Sequence, residues 1–266
     1  MSIAAPLVTS AQLNFDWALS QGSKESDFAG SLQQDSQGHL YSFYMITDTA
    51  DLDPGIGEDL LIIDDQQTGI LTKWTTEGEY LWSGRFQCPF DISGGIMEIK
   101  DNQMLLYLHY TDSLVYTLGG ISTTVTVNPG NHVCVLRLDL DGNVTFFKDI
   151  HDGSGFYFSY LKSNDAGFVI GGGSFTDSIA LHTASGQLKA ISQGQDDAYI
   201  ALFTPDFNAI GLQILGGKGS DYVENLYVAN DRIYFAIVYD DSLTIDHGQQ
   251  SETFPSNGEE NGLFGY

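Results

Sequence analysis

An all-β fold of four like units closed into a ring is predicted by three observations: a repeat near 65 residues, strand-type apolar runs in every repeat, and a last repeat that breaks off where the first begins. Laid in register, Trp17, Trp82, Phe147 and Leu212 recur at steps of 65, each in a short apolar stretch. A polar turn holds Gly38, Asn102, Gly167 and Asp231, at steps of 64 or 65. An apolar run follows each turn and ends ten residues on at an acid: Asp48, Asp112, Asp177 and Asp241. Gap-free agreement of turn, run and acid at this period is the mark of stacked or radial modules.

Within a unit the elements read as strands. In the second unit, Glu79 to Phe86, Gly94 to Asp101, Gln103 to Thr111 and His132 to Asp139 are short runs rich in Tyr, Phe, Val, Ile and Leu, set apart by turns or by a longer Gly/Ser/Thr/Pro stretch. Four strands per unit is the natural count, and no long helical stripe interrupts them. The run after the polar turn is almost continuously apolar instead of alternating. It is therefore buried on both faces, as in a sheet packed between two others.

The termini supply the closure. Asn261 to Tyr266 match the strand Ala198 to Phe203 of the preceding unit, and the chain then stops at the turn. The missing partner is Leu13 to Leu19, at the other end. Pairing the two removes an exposed sheet edge. The sequence thus predicts a four-bladed β-propeller with four antiparallel strands per blade, the last blade completed by the N- and C-terminal strands. Residues 1–12 form a tail and 13–266 a single domain. The alternative is an open half-ring that pairs with a second chain into eight blades.

The residues Asp197-Ala-Tyr-Ile-Ala-Leu-Phe-Thr-Pro-Asp-Phe-Asn208, Ile214-Leu-Gly-Gly-Lys-Gly-Ser-Asp-Tyr222 and Arg232-Ile-Tyr-Phe-Ala236 resemble the bacterial β-propeller repeat known as SBBP. In that family a strand ends in an Asp/Gly turn, a Gly-Gly-x-Gly-x-Asp loop follows, and a further strand comes after. Pieces recur in Gly22-Ser-Lys-Glu-Ser-Asp27, Ser36 to Tyr41 and Phe168 to Gly173. The resemblance implies a propeller scaffold and a bacterial source, and carries over no active residue.

Composition narrows the partners. Ten Lys and Arg against 35 Asp and Glu give a net charge of −25, which disfavours nucleic acid and anionic lipid, since both require basic patches. The opening Met-Ser-Ile-Ala-Ala-Pro-Leu-Val has neither the charged nor the long apolar region of a signal peptide, and no apolar run is long enough to span a membrane. A cytoplasmic location is expected, with a secreted form stripped of its leader as the alternative. Cys88 and Cys134 lie in different units without CxxC spacing and are expected as buried thiols.

Chemistry-bearing motifs are sparse. His39, His109, His132, His151, His182 and His247 occur singly, without the spacing that places two imidazoles on one metal. The repeated acids Asp48, Asp112, Asp177 and Asp241 are the one constellation. Around a common axis they would form a rim of four carboxylates that a hard cation such as Ca²⁺ neutralises. The plainer reading is that each caps its own turn. No other cofactor is expected.

The function that follows is a non-catalytic interaction scaffold, binding a protein or glycan ligand through its variable loops, with a basic protein as the charge-matched partner. The loops are Ala50 to Thr68, Gly119 to Pro129 and Thr244 to Glu260. Alternatives are a hydrolase using two rim carboxylates about 5–9.5 Å apart, and a propeller with a purely structural cation site.

Overall fold

A computed structural model describes residues 17–63, 67–90, 92–152, 155–229, 232–246, 248 and 250–266. These are all-β, and every paired strand is antiparallel. The first unit holds β1 (Phe28–Gln34), β2 (Leu40–Ile46), a short hairpin of β3 (Ala50–Asp51) and β4 (Leu60–Leu61), β5 (Thr68–Trp74) and β6 (Tyr80–Gln87). The second has β7 (Ser93–Lys100), β8 (Gln103–Leu118), β9 (Ile121–Asp139) and β10 (Val144–Asp152). The third has β11 (Phe156–Ser163), β12 (Val169–His182), β13 (Gln187–Phe203) and β14 (Ala209–Gly217). The fourth has β15 (Asp221–Ala229), β16 (Arg232–Asp246) and β17 (Ser251–Gly265).

Regularly spaced irregularities mark the hydrogen-bond register. The first strand of each unit carries an extra residue opposite its neighbour, at Gly30, Gly95, Ser159 and Glu224. A second irregularity falls at Asp112, Asp177 and Asp241, where φ is 60°, 58° and 61°. These acids bend the long strands β8, β12 and β16, because a residue in the left-handed region breaks the pleat and turns the chain. Beyond the bend, the hairpin leaves its own unit and joins the outer strand of the unit before it. Thus Val115 to Leu118 pair with β6, Leu181 with β10, and Leu243 to Ile245 with β14. Fifteen strands are thereby joined in one sheet.

The turns explain why strands begin and end where they do. Asp35, Asp139 and Asn164 each accept hydrogen bonds on Oδ1 from backbone N–H groups two and four residues on. Thr75 and Thr204 do the same through Oγ1 to the residue four on. The fourth residue of each turn is left-handed, and it is Gly38, Gly142, Gly167, Gly78 or, at the last, Phe207.

Three apolar clusters lie between successive units. Tyr41, Phe43 and Leu71 of the first meet Met97 and Leu106 of the second; Tyr107 and Val135 of the second meet Phe158 and Leu161 of the third; Ile170 and Ile200 of the third meet Val223 and Leu226 of the fourth. Met104 to Leu108 are all buried, as the continuous apolar run predicts for a strand covered on both faces. A fourth cluster packs Leu52, Leu61 and Ile63 of the β3–β4 hairpin onto Tyr44, Ile46 and Ile70.

The sheet does not close. β17 pairs with β16 alone among the described residues, and the packing that joins β1 to β7, β7 to β11 and β11 to β15 has no counterpart of that extent between β15 and β1. The expected pairing of the two terminal strands is not what Trp17 to Leu19 make, while residues 13–16 and the tail lie outside the described residues. Trp17 donates from Nε1 to the Thr76 carbonyl at 3.0 Å and covers Gly78, and Gln21 reaches the Leu52 carbonyl. An indole with a hydrogen-bond partner and a flat glycine turn beneath it is held on the first unit instead of the fourth.

Candidate functional site

Two of the three segments read as loops converge on one cavity. A concavity of about 520 Å³ lies between the end of the β3–β4 hairpin, the strand β6 and the tip of the β8–β9 hairpin. Asp59 and Leu60 enter from the first, Tyr80, Ser83 and Arg85 stand on the second, and Gly119–Gly120 form the third. Gly119 and Gly120 have φ of 57° and 79°, the pair of left-handed residues that closes a two-residue hairpin. The stretch Gly119 to Pro129 is therefore strand and tight turn, not loop. Its Ser, Thr and Pro content reads as loop, but cross-strand pairing from Ser113↔Thr126 to Leu118↔Ile121 overrides it.

The polar wall is one network centred on Asp59. Its Oδ1 accepts from Arg85 Nη2, and its Oδ2 accepts from the Tyr80 hydroxyl and, at 2.7 Å, from Ser83 Oγ. Burial pushes the Asp59 carboxyl up, but these hydrogen bonds and the Arg85 charge outweigh it and hold the group below the ordinary carboxylate range. Burial and the neighbouring Asp59 raise the Tyr80 phenol, so it stays a donor at every physiological pH. Trp82 lines the same cavity and packs edge-on against Tyr41, with ring centroids 6.3 Å apart. An ion pair, two hydroxyls and an indole around one concavity can grip a polar, flat-faced ligand.

The third segment, Thr244 to Glu260, is elsewhere. Its described part belongs to the β16–β17 hairpin, where Thr244 pairs with Thr253 and Ser242 with Pro255. His247 lies outside the described residues. The third unit carries a like hairpin past Asp177, which sequence reading did not mark because its Ala, Ile, Ser and Gln run has no loop signature.

The repeated acids occupy equivalent backbone positions in three units. Asp112, Asp177 and Asp241 are the left-handed bulge residues described above, and Asp112 Oδ1 accepts from Gly130 N at 2.7 Å. Asp48 differs, lying before a loop and accepting from Thr49 N at 2.6 Å. Among the described residues no three His, Cys, Asp or Glu side chains come together in a way that could hold a metal ion. The bulge role predicts that Asp177→Gly folds and is neutral to more stable by up to about 1 kcal/mol, since glycine reaches this φ without strain. Urea unfolding checks it. Melts with Ca²⁺ and after chelation should coincide; a rise with Ca²⁺ that the four aspartates control would restore the ring site.

Two acids that the sequence did not single out as site residues are fully buried. Asp221 accepts from Gly217 N at 2.8 Å and from Asp240 N at 3.3 Å, which closes the loop Gly217 to Asp221 on itself. Asp27 uses the same four-residue spacing, accepting from Ser23 N at 2.6 Å. Asp197 accepts from Gln193 N, while its Oδ1 is buried without a hydrogen-bond partner among the described residues. Burial pushes both carboxyls up, Asp221 to about 7 against the hydrogen bonds that would lower it; the charges of Asp197 and Asp240 add to the rise at Asp221, and that of Asp196 to the rise at Asp197. Neither carboxyl reaches solvent, so the pair is closed to a substrate.

Cys88 and Cys134 are both buried. His109 is held near pKa 4 by burial and by His151, and His132 Nδ1 lies 2.7 Å from Asp149. No helix among the described residues is long and apolar enough to cross a membrane. Compared with known proteins, the chain matches no family model and no curated protein.

Proposed function

We propose that the protein is a non-catalytic interaction scaffold whose four units are the blades of a β-propeller of the SBBP type, and that it binds a glycan in the cavity between the β3–β4 and β8–β9 hairpins. The observation that carries this reading is the convergence of Asp59, Tyr80, Ser83, Arg85 and Trp82 on one open concavity at the tips of two hairpins. A sugar presents hydroxyls that suit the carboxylate and guanidinium and an apolar face that suits the indole. Hairpins that differ between units, carried on a rigid repeat, are where recognition is expected.

A glycan array followed by titration calorimetry of the bound sugar tests it. Arg85→Ala should weaken binding tenfold or more, about 1.4 kcal/mol, and Trp82→Ala likewise. Thermal midpoints of these variants separate lost contacts from lost fold. Binding that survives both substitutions, or a blank array, would sink the glycan reading.

The net charge of −25 supports a second reading, capture of a basic protein by long-range attraction. A pull-down that is strong at low salt and lost at high salt supports it. Retention at high salt argues against it.

A further inference from the structure

The register makes one asymmetry explicit. Within the molecule, each later unit lays a leucine or methionine of its bulged first strand on the second and third strands of the unit before it. Met97, Leu161 and Leu226 occupy this position two residues after the bulge and are 2%, 1% and 3% exposed. Their equivalent in the first unit is Leu32, and it is 65% exposed. On the receiving side, Leu71, Val135 and Ile200 are 0%, 0% and 9% exposed, whereas the matching residue of the fourth unit, Phe264, is 81% exposed. Phe264 pairs with Ala236, two residues from Tyr234, whose ring centroid lies 6.1 Å from those of Tyr227 and Tyr266. The open face of the first unit is an apolar groove of about 490 Å³ between Phe28, Leu32, Leu40, Tyr44 and Trp74.

We propose that these two faces are the halves of one more interface of the kind already present three times, and that a second copy of this chain supplies the missing half. The fourth unit of each copy seats its aromatic face in the groove on the first unit of the other. Three internal steps of this packing leave β15 and β1 without a contact of the same extent. A second copy that offers its Phe264 face to the Leu32 groove would supply a fourth step of the same kind. A two-fold pair holds two such contacts and leaves neither face open. The segment Trp17–Leu19 lies beside the groove, so in the pair it comes alongside the edge of β17 that has no partner among the described residues. This inference rests on the repeat and is independent of the glycan reading.

Light scattering after size exclusion tests it. The chain has a mass of 29.1 kDa, and the pair doubles it. Leu32→Glu and Phe264→Glu, both at exposed positions that leave the fold intact, should each halve the observed mass while circular dichroism keeps its strand signal. Mixing the two variants should restore pairs, because the intact Phe264 face of one and the intact Leu32 groove of the other still match. A single-chain mass for the unaltered protein, a doubled mass indifferent to both substitutions, no recovery on mixing, or open chains longer than two would each overturn the proposal.

Discussion

Gly217→Ala is expected to lose more than about 3 kcal/mol of stability, among the largest effects of any single substitution in this chain. A Cβ on Gly217 would lie 1.5 Å from the Ser242 carbonyl oxygen, inside the backbone of the paired strand. Neither side can give way, because Gly217 is hydrogen-bonded in register with Leu243 and its N–H is also held by Asp221. The join between the outer strand of the third unit and the hairpin of the fourth would open. Gly186→Ala is the control: a Cβ there meets nothing within 4 Å, and the change should be neutral or mildly stabilising through the unfolded chain. Denaturant midpoints of the two variants decide the matter, and equal midpoints would refute the close approach.

The second large effect is on pH dependence. Asp221 has a folded-state pKa of about 7 against an ordinary 3.8, so the folded protein holds a proton that the unfolded chain releases. For an acid shifted upward, no stability is lost below pH 4; stability then falls as pH rises from about 4 to 7 and levels off above. The full gap is worth on the order of 4 kcal/mol. Asp197, raised in the same direction, deepens the decline. Asp35, Asp59 and Asp139 act oppositely, since hydrogen bonds and, for Asp59, an ion pair outweigh burial and lower them. Their contribution is present above pH 4 and lost on acidification. Stability should therefore peak on the acid side of neutrality, near pH 4 to 5.

Asp221→Asn isolates the effect. The amide oxygen can still accept from Gly217 N; the NH₂ gives up the longer bond from Asp240 N but places no charge in the buried site beside Asp197 and Asp240. The variant should exceed the wild type by a few kcal/mol at pH 8 and show no gain at pH 4. Urea unfolding at the two pH values measures it, and parallel curves would show that Asp221 ionises freely in the fold.

Much of this architecture was legible from spacing alone. Bulges at Gly30, Gly95, Ser159 and Glu224 fall on the period that Trp17, Trp82, Phe147 and Leu212 announce, because a repeated unit must bury the same face at the same place. The acids at Asp112, Asp177 and Asp241 were found by the same count, but their role was hidden. Nothing in an Asp reports its own φ, and a bulge and a rim ligand share one pattern. The Asp59 network was less visible still, since Asp59, Tyr80 and Arg85 belong to segments that meet only after the first unit folds.

The sequence by itself determined the all-β class, turn positions such as Gly38 and Gly167, and the strand buried on both faces, since each follows from local periodicity and turn chemistry that neighbours cannot change. Tertiary structure alone decided that the hairpins cross from unit to unit, that Asp197 and Asp221 are sealed from water, and that Leu32 and Phe264 face solvent. Those outcomes depend on which surfaces meet, and that is a matter of distances between residues far apart in the chain.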